Sequence, residues 1–303
     1  GLRLLLENGC PFDALRITYS TSVSPKLISK CKSVDTIILV LPIAADTLSA
    51  CLNLPRLAAI SIGSVAALPD SRLMQLARLG PQLRCLQLSV PIPARDLGAL
   101  VKLMPRLTQL EATWVNGPGV IDAGILRGLS VLALRLIGNP TAPAMFDKAV
   151  FPHLKELYFS ATPAFDMSCS PEMFPALDAL IVPMPLDADA LLQIAPQLRT
   201  VYLEKELPSE AIEAFLERAK KLRVLWLEKI TITERLTELM AGIETLEEIH
   251  CEKHDWEHKA KRLPQWRDGV KMNSRPHVFP ANINDAVQRF GWETQRKIGF
   301  QWK

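Results

Sequence analysis

Apolar residues recur along this chain in a fixed phrase: an anchor, two variable places, an apolar place, one variable place, and a further apolar place. Examples are Leu57-Ala-Ala-Ile60-Ser-Ile62, Leu83-Arg-Cys-Leu86-Gln-Leu88 and Leu222-Arg-Val-Leu225-Trp-Leu227. The anchors are Phe12, Val34, Leu57, Leu83, Leu107, Leu129, Leu154, Leu177, Leu198, Leu222 and Leu246, spaced 21 to 26 residues apart. Eleven recurrences at so regular a period define an internal repeat. Alternation after each anchor predicts a short strand, starting near residues 14, 36, 59, 85, 109, 131, 156, 179, 200, 224 and 248. Between the phrases the period changes to that of a helix: Leu73, Leu76, Ala77 and Leu79 share one face, as do Ile212, Phe215, Leu216 and Ala219. Ser71, Asp187 and Ser209 are helix-start signals. Proline stands two residues before six anchors, at Pro55, Pro81, Pro105, Pro152, Pro175 and Pro196. It cannot continue a helix, so it closes one segment before the next strand begins.

The repeat resembles the leucine-rich repeat family, whose signature is LxxLxLxxN/CxL at a period of 20–29 residues. The resemblance covers residues 10–251 and implies an α/β solenoid of about eleven repeats, with a curved parallel sheet, helices on the convex side, and a C-terminal extension. The Asn or Cys of the signature is missing, so neighbouring turns must satisfy their backbone groups without an asparagine ladder. The phrases Phe151-Pro-His-Leu-Lys-Glu-Leu and Phe174-Pro-Ala-Leu-Asp-Ala-Leu are similar to the diverged repeats of fungal-type F-box proteins. That similarity implies a second role, as the substrate-recognition subunit of a ubiquitin ligase, which requires an F-box upstream of Gly1.

A repeat of this kind buries its apolar face only against its neighbours. Strand alternation turns the fourth and sixth places inward and the third and fifth places to the opposite, concave face. The fifth place reads Arg16, Ile38, Ser61, Gln87, Glu111, Ala133, then Tyr158, Ile181, Tyr202, Trp226 and His250. The first six show no theme, and the last five form an aromatic and apolar stripe. Glu156, Glu204, Glu228, Glu248 and Glu252 flank it at places three and seven. Large amphipathic rings beside charges suit an interface. Tyr158, Ile181, Tyr202, Trp226 and His250, with Glu204 and Glu228, are therefore the expected partner-binding residues. The competing reading is that the C-terminal segment folds back over the stripe and makes it internal core.

Composition changes this picture mainly at the end of the chain. The 303 residues are 49% apolar and 22% charged, with a net charge of +3. Residues 252–303 hold eleven Lys/Arg against six Asp/Glu and four of the six tryptophans, Trp256, Trp266, Trp292 and Trp302. The preceding 251 residues have a net charge of −2. The boundary therefore falls between a repeat domain, 1–251, and a basic, Trp-rich cap and extension, 252–303. Its Lys259, Lys261, Arg262, Arg267, Lys271 and Arg275, among Trp256 and Trp266, admit RNA contact as a further reading.

Candidate chemistry is sparse. No GxGxxG, GxxxxGK[ST] or GxSxG occurs, so phosphate cradles and nucleophile elbows are unsupported. His254-Asp-Trp-Glu257-His258 matches the H-x-x-E-H spacing of a zinc peptidase, with His250 and Cys251 one turn earlier. Polar capping of the last repeat accounts for these residues more simply, and no catalytic group, metal or cofactor is expected. The six cysteines form no CxxC pair and fit reduced thiols, which points to an intracellular setting, cytoplasmic or nuclear, with an organelle left open. No apolar run approaches the ~18–20 residues of a membrane span. The expected function is a non-enzymatic scaffold or adaptor that binds protein, as one subunit of a larger assembly.

Overall fold

A computed structural model describes residues 13–17, 24–40, 44–63, 76, 82–116, 121–137, 149–162, 170–182, 187–204, 207–228, 230, 232–251 and 271–274. The chain divides into two compact units, Gly1–Met145 and Phe146–Lys303. The first carries β1 (Ala14–Ile17), β2 (Thr36–Val40), β3 (Ala59–Gly63), β4 (Cys85–Pro93), β5 (Gln109–Asn116) and β6 (Val131–Ile137). The second carries β7 (Glu156–Thr162), β8 (Ala179–Ile181), β9 (Thr200–Glu204), β10 (Val224–Glu228), β11 (Glu248–Cys251) and β12 (Lys271–Ser274). Within each unit the strands pair in parallel with their neighbours in chain order. All eleven expected strands begin at the residue that the phrase assigns to them, because the anchor and places four and six must all be apolar to close a turn of the coil.

A twelfth strand was not expected. β12 pairs with β11 in parallel, Glu248 opposite Lys271 and His250 opposite Asn273. It starts 23 residues after β11, within the repeat period, although Gly269 stands where an anchor would and Ser274 where an apolar sixth place would. The sheet thus runs on into the segment that composition sets apart at residue 252.

The tight turn before each anchor explains the prolines. Leu57 N donates to Leu54 O at 3.3 Å, Leu107 N to Met104 O at 3.0 Å, and Leu154 N to Phe151 O at 3.3 Å. Pro55, Pro105 and Pro152 occupy the second position of these four-residue turns, where a fixed φ near −65° is wanted and no N–H is needed. Phe151 and Phe174, at the first position of two successive turns, are buried and stacked, with ring centroids 5.3 Å apart.

Backbone groups join neighbouring repeats at the entry to the strands. Among the described residues, the carbonyl just after nine of the anchors accepts two successive N–H groups of the following repeat. Arg84 O receives Thr108 N at 2.8 Å and Gln109 N at 3.0 Å. Arg223 O receives Glu247 N at 2.8 Å and Glu248 N at 2.9 Å. The same double acceptance recurs at Asp13, Asp35, Ala58, Thr108, Lys155, Asp178 and Arg199. Each strand is thereby fixed to its neighbour before the sheet ladder proper begins.

Helices cover the inward face. Among the described residues they are α1 (Pro25–Ile28), α2 (Ala45–Leu52), α3 (Ala94–Lys102), α4 (Ala123–Leu126), α5 (Ala188–Ile194), α6 (Ser209–Arg218) and α7 (Glu234–Ala241). Asp187 caps α5 by accepting from Asp189 N at 3.1 Å, as its sequence signal implies, and Thr233 caps α7 by accepting from Leu236 N, also at 3.1 Å. Ser209 opens α6 without acting as its cap, a position Pro208 takes. Ile212, Phe215 and Leu216 of α6, and Ala219 after it, are buried as their spacing predicts. Leu76 is buried and helical, while Ser71, Leu73, Ala77 and Leu79 lie outside the described residues.

β4 and β5 run longer than their phrases, and their pairing shifts register between Leu88 and Pro91. Pro91 and Pro93 cannot donate to a ladder, so an irregularity is the place where a strand tolerates them.

Candidate binding surface

Strand register assembles the aromatic row of the second unit residue by residue. Tyr158 stands opposite Ile181, Ile181 opposite Tyr202, Tyr202 opposite Trp226, and Trp226 opposite His250. The row therefore exists as one continuous file, each member about 4.8 Å from the next. Trp226 and His250 stack, with ring centroids 3.7 Å apart and planes 4° from parallel.

Two carboxylates steady the ends of the file. Tyr158 Oη donates to Glu156 Oε2 at 3.2 Å, and His250 Nε2 lies 3.3 Å from Glu248 Oε2. Both bonds join places three and five of one strand, which alternation puts on the same face. Glu204 and Glu228 end β9 and β10, and their Cα positions are register partners.

The exposure of the row corrects the sequence picture. Tyr158, Ile181, Tyr202 and Trp226 retain only 2%, 5%, 7% and 6% of their surface, so they are packed interior rather than an open ribbon. His250 at the end keeps 15% of its side chain in solvent. Alternation tells which face a side chain takes, but not how much of that face stays wet.

The first unit holds a group that sequence reasoning passed over. At place five of β4 and β5, Gln87 Nε2 donates to Glu111 Oε2 at 2.8 Å. Glu111 Oε1 is buried and has no hydrogen-bond partner. Burial pushes this carboxyl up to about 7, against the smaller lowering effect of the Gln87 hydrogen bond. An acid beside an amide at matching places of successive phrases was the available signal.

Of the cysteines, Cys31 and Cys51 are buried and Cys85 and Cys251 partly so. Burial pushes the Cys51 thiol up to about 12, and pushes Cys85 to about 12 with a further contribution from the Glu111 charge. Cys10, Cys169, the His254–His258 motif and the tryptophans after residue 252 lie outside the described residues. Among the described residues no cluster of His, Cys, Asp or Glu could hold a metal ion, and no helix is long and apolar enough to cross a membrane.

No protein-family model matches this sequence, and no curated protein matches it. Solved structures do. The chain is similar to TLR13 in its complex with ssRNA13, at 16% identity and a TM-score of 0.50, over 82% of this chain and 41% of that one. It is also similar to an LRR protein of Leptospira interrogans, at 14% identity and a TM-score of 0.46, over 91% and 77%. A third likeness is to an internalin from Listeria monocytogenes, at 12% identity and a TM-score of 0.46, over 83% and 87%. With the repeat phrase, the parallel strands and the covering helices, the fold is a leucine-rich repeat solenoid.

Proposed function

We propose that this chain is a non-enzymatic protein-binding module, a scaffold or adaptor subunit of a larger assembly, which receives its partner on the concave face of the second unit. Tyr158, Ile181, Tyr202 and Trp226 are buried beneath that face and hold it rigid, His250 keeps part of its ring in solvent at the end of the row, and Glu204 and Glu228 form the acidic margin. The observation that carries this reading is the like-charged register pair Glu204 and Glu228. Like charges opposite one another on neighbouring strands cost stability. A chain that keeps them gains where a partner supplies Lys or Arg, and complementary charge then orients the encounter. A floor packed before binding spares the partner the cost of ordering it.

The test is affinity capture from the native source with partner identification, using the unaltered chain and its Glu228→Lys variant. The variant places opposite charges at the register pair, so it folds at least as stably and loses the partner. A partner retained at the same level by Glu228→Lys overturns this site.

A further inference from the structure

We infer that Gln87 and Glu111 form a pH-sensitive latch in the first unit: the carboxyl sits among its strands as a neutral acid, and loss of its proton loosens the strands that hold it. The geometry is a buried carboxyl with one donor and one orphaned oxygen. Gln87 Nε2 serves Oε2 at 2.8 Å, and Oε1 has nothing. An ionised carboxylate left in that state forgoes the hydration of a full charge, which a neutral acid does not need.

Among the described residues no ion pair offsets that cost. The concave face of β4 presents Cys85, Gln87 and Ser89, and none of the nine residues of β4 is Asp, Glu, Lys, Arg or His. On β5, Gln109 shares the face with Glu111. On β6, Val131 and Ala133 stand in register with Gln109 and Glu111. Arg135 is the basic residue of β6, two places beyond Ala133. On β4 the Cys85 thiol shares the face with Gln87, and burial keeps it neutral far above physiological pH.

The sign follows from linkage. The unfolded chain releases this proton near the ordinary value of 4.5, whereas the folded chain holds it to about 7. Stability therefore falls as pH rises through that window and levels off above it. Ionisation also draws water or a cation toward Oε1, and the strands must part to admit either.

The test uses the full chain with ¹³C-carboxyl-labelled glutamate, the Glu111 resonance being the one lost in Glu111→Gln. Its expected midpoint lies well above those of the exposed glutamates. Gln87→Leu removes the one donor to the carboxylate and moves the midpoint higher still, which keeps the test available should Glu111→Gln fold poorly. In parallel, the melting temperature of Glu111→Gln should gain on that of the unaltered chain by several degrees between pH 5 and pH 8. Amide exchange in β4–β6 of the unaltered chain should accelerate over the same range beyond the intrinsic pH dependence. A Glu111 carbon that titrates with the other glutamates, or a melting difference independent of pH, overturns the latch.

Discussion

The indole of Trp226 lies flat on the imidazole of His250, one repeat further on, at 3.7 Å between centroids. Both rings sit at the fifth place of their phrases, and Trp226 keeps only 6% of its surface in solvent. Replacing a buried Trp by Ala costs about 3–5 kcal/mol where the site cannot collapse. Trp226→Ala is therefore expected to lower the urea midpoint strongly, and Tyr202→Ala with Trp226→Ala to lower it further. Trp226→Phe, which preserves stacking, should recover much of the loss. A double variant as stable as the parent would mean that the row is not core.

The thiols give a chemical test of burial. With Cys51 and Cys85 held up to about 12, almost no thiolate is present at either at pH 8. Iodoacetamide at that pH should leave both unmodified in the folded chain, and modify them promptly in urea. Peptide mapping by mass spectrometry reads the outcome, and fast native labelling of Cys51 contradicts the packing around α2.

Thr233 serves α7 twice, its Oγ1 accepting from Leu236 N at 3.1 Å and its carbonyl from Thr237 Oγ1 at 2.8 Å. Thr233→Ala removes only the first of these and is expected to cost about 1 kcal/mol. Thr233→Ser should be close to neutral. Denaturant unfolding of the pair separates loss of the cap from loss of the threonine methyl.

Two successive turns depend on Phe151 and Phe174, stacked at 5.3 Å beneath Pro152 and Pro175 in sequence. Phe174→Ala should cost about 3–5 kcal/mol. Pro175→Ala changes only the freedom of the unfolded chain at that turn and should cost about 0.4–1 kcal/mol. Comparable losses for the two variants, by equilibrium unfolding, would show that the turn rather than the ring pair governs this step of the coil.

The strands were legible because each phrase repeats three constraints at once, an apolar anchor and two apolar inward places, and chance does not sustain that over eleven periods. β12 was not, since Gly269 and Ser274 break the phrase while the period continues. The overrun of β4 and β5 was hidden by Pro91 and Pro93, which argue against a strand until an irregular register accommodates them. For the candidate site, alternation correctly predicted that Tyr158 to His250 form one file. It could not predict their burial, which depends on what packs over a face rather than on which face a residue takes. Gln87 and Glu111 escaped notice for a related reason: an isolated polar pair carries no period.

The double acceptance by one carbonyl per repeat has a consequence for how freely this protein can vary. The double acceptance itself needs no particular side chain, and the position is filled in turn by Asp13, Asp35, Ala58, Arg84, Thr108, Lys155, Asp178, Arg199 and Arg223; some of these add contacts of their own, Thr108 Oγ1 donating to Arg84 O and Arg223 to Glu247. Acid, base, hydroxyl and methyl all serve. The backbone link is thereby indifferent to the chemistry of this line, which can drift, or be rewritten by an engineer, with the loss only of such added side-chain contacts.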